Sequence, residues 1–230
     1  GVSAAFPFID ALLERNRVEE AFQAWAEALD KSAISREALL LIPQVAAGSA
    51  TDPAVNLVWN GSFENEILDG GFGWRRQQTE EATLRIDRAE HMNGRKSLQL
   101  MFNNANIEFS HLSQILPAPA AGNYRLNYYL KTENLTTDQK PHFIIEGYPD
   151  PQGTILRTNS FPSSSSWREY SFPFKVNPGI KALRLSLRRS RSAKFDSQIQ
   201  GSLWLDSVAI HFDPLQSGTA KKTDEDPLAE

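Results

Sequence analysis

Apolar residues recur at two different periods along this chain of 230 residues, and the change of period divides it. Between residues 6 and 45, Phe22, Trp25, Ala26 and Leu29 fall at i, i+3, i+4 and i+7, as do Ala38, Leu41, Ile42 and Val45. That spacing predicts amphipathic helices. Ser35 stands as an N-cap for the last of them, and Pro43 ends or kinks it. The helical pattern stops at the small and helix-breaking residues 48–53, where a domain boundary is expected. Beyond it the period is two: residues 82–88, 97–102, 123–132, 141–148, 168–176 and 181–189 alternate, separated by turns rich in Gly, Pro, Asn and Asp. With no helical window between them, these strands predict an antiparallel sandwich rather than a parallel α/β sheet. The tail 216–230 is polar, lacks an apolar face and reads as disordered. The expected organisation is a helical segment over 1–50, a sandwich over 51–213 and a tail over 214–230.

Composition narrows the function classes. The formal charge of −4 gives no bulk attraction to nucleic acid or to anionic membrane, and no apolar run is long enough to span a bilayer as a helix. The absence of cysteine removes disulfides, thiolate metal sites and cysteine nucleophiles. The four histidines are dispersed, and no P-loop, GxSxG elbow or HExxH motif occurs. A glycosidase would need two carboxylates flanking a cleft, for which Glu64, Asp87, Glu90, Glu146 and Asp206 are the candidates. Gly1 reads as the start of an excised fragment.

Two segments bracket the strand-rich block, NLVWNGSFE (Asn56 to Glu64) and GSLWLDSVAI (Gly201 to Ile210). Between them lie NGRKSLQL (Asn93 to Leu100), GNYRLNYYLKTENL (Gly122 to Leu135) and WREYSFPF (Trp167 to Phe174). In this order and spacing, residues 54–213 resemble the jelly-roll carbohydrate-binding modules attached to xylanases and cellulases, within the galactose-binding-like superfamily. The resemblance implies a mainly β fold, an antiparallel jelly-roll β-sandwich with an N-terminal α-helical segment. It implies a non-catalytic module for polysaccharide or oligosaccharide, in a larger bacterial-type envelope or exopolysaccharide-related protein and an extracytoplasmic (periplasmic or cell-envelope) location. The stretch Ala11 to Asp30 resembles a tetratricopeptide helix pair, with Ala21, Trp25 and Ala28 at the packing positions, which implies further repeats upstream and a route to a protein partner. A helical hairpin that caps the sandwich is the equal alternative.

Modules of this type often hold a structural calcium between the first and last strands, and Glu64 and Asp206 match the positions of its carboxylates. The alternative is that Glu64 caps a turn and Asp206 accepts backbone hydrogen bonds with no ion. Sugar recognition needs flat apolar surfaces for pyranose rings and planar polar groups for hydroxyls. If Leu126, Tyr128 and Leu130 face the core, alternation turns Tyr129 outward; Leu183, Leu185 and Leu187 inward turn Arg184 and Arg188 outward. One outer face bearing Tyr129, Arg184 and Arg188 would suit an acidic or sulfated glycan, against the plainer reading of solvated strand faces. The Gly-rich loop Gly71 to Arg76 presents Trp74 and Arg76 as a second set of contacts, unless Trp74 folds back over the sandwich edge. The competing function is a structural or protein-interaction module without a sugar site, and the third is a glycoside hydrolase or lyase.

Overall fold

The computed structural model describes residues 2–30, 52–118, 120–151 and 153–214. The expected N-cap at Ser35, the helix over 38–45, nearly all of the boundary segment 48–53 and the tail 216–230 lie outside the described residues. Among the described residues, a short 3-10 turn leads into α1 (Phe6–Glu14) and α2 (Val18–Asp30), and ten strands come after them in sequence. Pro7 sits in the first turn of α1, where its missing N–H costs nothing, and Asn16 ends that helix in the left-handed region at φ 57°. Glu19 and Glu20 occupy the first turn of α2, where carboxylates favour the helix dipole.

The strands are β1 (Trp74–Arg76), β2 (Ala82–Asp87), β3 (Ser97–Ala105), β4 (Phe109–Pro117), β5 (Gly122–Glu133), β6 (His142–Tyr148), β7 (Thr154–Arg157), β8 (Ser165–Val176), β9 (Ala182–Arg189) and β10 (Ile199–Phe212). They build two five-stranded antiparallel sheets, β1-β4-β9-β6-β7 and β2-β3-β10-β5-β8. This is the expected antiparallel sandwich with a helical N-terminal segment. Its core is made by the inward sets that alternation picks out: Leu126, Tyr128 and Leu130 from β5 and Leu183, Leu185 and Leu187 from β9 are all buried. Tyr128 packs edge-on against Phe143 across the sandwich at 5.0 Å between ring centroids.

The leading segment is not a strand. Residues 56–64 form a turn-rich run whose Leu57, Val58, Trp59 and Phe63 are buried. Its backbone nonetheless lies along β10 beyond the end of β3: Leu57 N–H donates to Ile210 O (2.9 Å), Val208 N–H to Gly61 O (2.9 Å), and Ile210 N–H to Asn56 Oδ1 (3.0 Å). First and last segments of the sandwich are thereby held together, although not by regular pairing.

The helical hairpin packs its apolar face on the same leading segment and on Phe72 of the Gly-rich loop. Trp25 stands edge-on to Trp59 (5.9 Å) and to Phe72 (5.6 Å), and Phe22 is edge-on to Phe72 (5.3 Å). Asp10 of α1 forms a bidentate pair with Arg75 (2.6 and 3.1 Å) and also accepts from Gly71 N–H. Buried residues of helices and sandwich belong to one continuous core. The tetratricopeptide resemblance has no support in this packing, because a face that would receive a neighbouring repeat is covered by the sandwich instead.

Candidate functional site

The sites expected from the sequence are pulled apart by sheet membership. Tyr129 does face outward on β5, half-buried, opposite Asp206 of β10 and Glu169 of β8. Arg184 and Arg188 face outward on β9, which belongs to the other sheet. A common face for Tyr129, Arg184 and Arg188 is therefore ruled out: the two sets look away from each other across the thickness of the sandwich.

Trp74 is a second correction. Its side chain is fully buried, with the ring 5.5 Å from Phe63 and the indole N–H donating to Asn60 O (3.1 Å). Trp74 pairs with Gln114 on β4, which turns it toward the core rather than the solvent. No ring face is left for a sugar. Arg76 is partly exposed but engaged, with Nε and Nη2 gripping the Asp69 carboxylate at 3.1 and 2.7 Å. That pairing fastens the ends of the Gly-rich loop to each other.

Glu64 and Asp206 hold the two ends of a single loop. Asp206 Oδ2 accepts from the backbone N–H groups of Met92 and Asn93, both at 2.8 Å, and Glu64 Oε1 accepts from those of Arg95 (2.6 Å) and Lys96 (2.9 Å). Gly94, between them, has φ +66°, and a Cβ there would overlap the Glu64 carboxylate. Burial pushes the Asp206 carboxyl above its ordinary range, opposed by its hydrogen bonds from Asn93 and Met92. This donor set does not fit calcium, which needs six to eight oxygens with free lone pairs. Here one oxygen of each carboxylate is aimed at N–H groups, Asp206 Oδ1 accepts from the Ser207 hydroxyl, and the Lys96 ammonium donates to the Glu64 carbonyl, placing a positive charge beside Glu64. Among the described residues no three His, Asp or Glu side chains converge as a metal cluster. A calcium site filled at 100 times its Kd would raise the Tm by about 5–10 °C. The expected shift in a thermal melt with millimolar calcium against chelator is below about 1 °C.

A loop-lined opening lies at one end of the first sheet. A cleft of about 520 Å³ is lined by Tyr148 and Asp150 after β6, by Lys175, Asn177 and Lys181 around the β8–β9 turn, and by Asn16 from the turn between the helices. Tyr148 pairs with Ala182, so its side chain shares the outer face with Arg184. The Arg184 guanidinium lies 4.6 Å from the Tyr148 ring centroid, a cation–π contact that fixes the ring at the mouth of the cleft. Further along the same face, Arg188 is paired with His142 in register and reaches Glu146 Oε2 at 3.5 Å. Burial and then the charge of Arg157 lower the His142 imidazole below its ordinary value, opposed by the bond to Lys140 O and helped last by the charge of Arg188. Glu146 is the member of the carboxylate set nearest this cleft in register; Glu64, Asp87 and Asp206 belong to the second sheet and the loops that cross it. Tyr148, Lys175 and Lys181 lie outside the sites expected from the sequence, where the aromatic-proline turn after β6 (Tyr148 to Gly153) is the signal that points to them.

No protein-family model matches this chain, and no curated protein matches it. Solved structures are similar to it at low identity. They include a CBM4 structure (12% identity, 67% of this chain and 98% of that chain, TM-score 0.47). TmCBM61 in complex with β-1,4-galactotriose is similar at 14% identity, over 68% of this chain and 98% of that chain, with a TM-score of 0.46. A xylan-binding domain from CBM 22 follows at 10% identity, over 69% of this chain and 96% of that chain, with a TM-score of 0.46.

Proposed function

We propose that this chain is a non-catalytic carbohydrate-binding module whose ligand site is the cleft at Tyr148. The observation that carries the reading is an open, polar cleft of about 520 Å³ with one aromatic ring at its mouth, held in place by Arg184. A pyranose ring needs that combination, an apolar plate for its C–H face and amide or charged groups for its hydroxyls. Arg184 takes one face of Tyr148, so the sugar would stack on the other. Asn16, Asn177 and Asp150 would meet its hydroxyls. Asp150 is the single carboxylate among the described lining residues, which supports binding over hydrolysis, since glycoside cleavage uses two. An extracytoplasmic location, where polysaccharide is met, and a larger envelope or exopolysaccharide-related protein belong to the same proposal.

The second reading, a protein-interaction module, is favoured by one observation: Phe195 is fully exposed on the β9–β10 loop. That loop is anchored at Ser192, which donates to Asp138 Oδ1 (2.6 Å) and whose backbone N–H donates to Asn106 Oδ1 (2.9 Å). A rigid loop with an aromatic tip has the anatomy of an interface hot spot.

A glycan array separates the two. Polysaccharide binding that Tyr148→Ala weakens about tenfold or more, while Phe195→Ala leaves it unchanged, is the expected result. Retention of no glycan above background, or full binding by Tyr148→Ala, would sink the cleft as a sugar site.

A further inference from the structure

The face that leads into the cleft is more basic than the chain that carries it. Whole-chain composition is acidic, 24 Lys and Arg against 28 Asp and Glu. On the outer face of the first sheet the balance reverses. Arg157 pairs in register with Ile144, Arg188 with His142, and Arg184 with Glu146, so all three guanidinium groups project from the same side. Lys175 and Lys181 continue the series into the cleft. Glu146, shared with Arg188 at 3.5 Å, and Asp150 are the acidic groups beside them. Among the described residues Arg157, Arg184, Lys175 and Lys181 form no salt bridge, although six other Lys and Arg side chains of the chain do so with carboxylates on the remaining surface. Arg188 keeps a buried Nε without an acceptor. A row of like charges costs stability unless counter-charge is supplied.

Resting on the reading of the cleft as a sugar site, we infer that its ligand is a polyanionic polysaccharide, with carboxylate or sulfate groups along the chain, laid on β6 and β9 from Tyr148 toward His142. The six steps from His142 to Tyr148 span about 20 Å of extended strand, room for several sugar rings. Arg184 stands on the stacking ring itself, so a uronate or sulfate on the stacked sugar falls beside a guanidinium fork that fits either anion with two hydrogen bonds. Arg157, in register with Ile144, and Arg188, in register with His142, flank β6 on this face and form a second anion position further along the strand.

The test is affinity electrophoresis and calorimetry with four polymers: polygalacturonic acid, dextran sulfate, and the neutral polymers galactan and dextran. Arg157→Glu/Lys181→Glu is the companion variant, chosen because both side chains are exposed and unpaired; its Tm is checked against the parent. The expected result is that at least one anionic polymer binds about tenfold or more tightly than the neutral ones. That binding should fall about tenfold between about 50 and about 500 mM salt, and the double variant should lose it. Which anionic polymer is preferred distinguishes carboxylate from sulfate. Equal binding of neutral polymers, insensitivity to salt, or full binding by the double variant would overturn the inference and leave the sugar site standing. No binding of any of the four would overturn both.

Discussion

Replacing Trp74 with alanine is expected to lower the free energy of unfolding by about 3–5 kcal/mol, a large part of the 5–15 kcal/mol that a domain of this kind commonly has. The indole is fully buried, 5.5 Å from the Phe63 ring, and its N–H is satisfied by Asn60 O at 3.1 Å. Removing it opens a void between the first sheet and the leading segment, at the place where Gln114 of β4 also reaches across to donate to Trp59 O (2.8 Å). Neighbours so tied to backbone cannot collapse into the gap, so the cavity penalty adds to the lost transfer energy. Urea denaturation should show a lower midpoint at an unchanged slope. Under native conditions the folded fraction of Trp74→Ala should still bind whatever the parent binds. A variant as stable as the parent but unable to bind glycan would mean that the indole works at the surface, and the burial described above would be wrong.

The two fates of aromatic residues, Trp74 inside and Tyr148 at the cleft, show where local pattern stops being informative. Period-two alternation is a property of a single strand, and it correctly separates Leu126, Tyr128 and Leu130 from Tyr129, and Leu183, Leu185 and Leu187 from Arg184 and Arg188. Strand ends follow within a few residues, since Gly, Pro and Asn interrupt the pattern where the chain must turn. Which strands share a sheet depends on pairings far apart in sequence, and nothing in alternation places β5 with β10 and β9 with β6. The missed strand β4 lacks clean alternation for a physical reason. Gln114 points into the core, where its Nε2 donates to Trp59 O, while Ile115 on the opposite side is buried as well. The short β1 and β7 fall below the length at which periodicity can be read. Trp74 sits in a Gly-rich stretch that looks like an exposed loop; only the long-range partners Asn60, Phe63 and Gln114 show that it is a wall of the core. Glu64 and Asp206 lie far apart in sequence, yet both accept backbone N–H groups of the same loop, Met92 and Asn93 for Asp206 and Arg95 and Lys96 for Glu64, and no local pattern announces that loop as their partner.

Gly61→Ala is expected to cost on the order of 3 kcal/mol, although the change adds a single methyl group. Gly61 lies against β10 so closely that a Cβ would overlap the Val208 carbonyl oxygen, and the nearest atoms are backbone, which cannot rotate away as a side chain would. The same contact is productive in the parent, where Val208 N–H donates to Gly61 O at 2.9 Å. Just before it β10 shifts register between Asp206 and Ala209, with Ser207 at φ 51°, and this irregularity turns the Val208 amide toward the leading segment instead of toward β5. Forcing the two backbones apart would strain the neighbouring bonds from Leu57 N–H to Ile210 O and from Ile210 N–H to Asn56 Oδ1. Leu57, Val58 and Trp59, all buried and with Trp59 packed directly against Trp25 of the hairpin, would shift with them. Hydrogen exchange gives the local readout: the Val208 and Leu57 amides should lose protection in Gly61→Ala while the amides of β6 and β9 change only by the global loss of stability. Parent-like stability with Val208 still protected would show that the leading segment rests on β10 loosely, and that the sandwich closes without it.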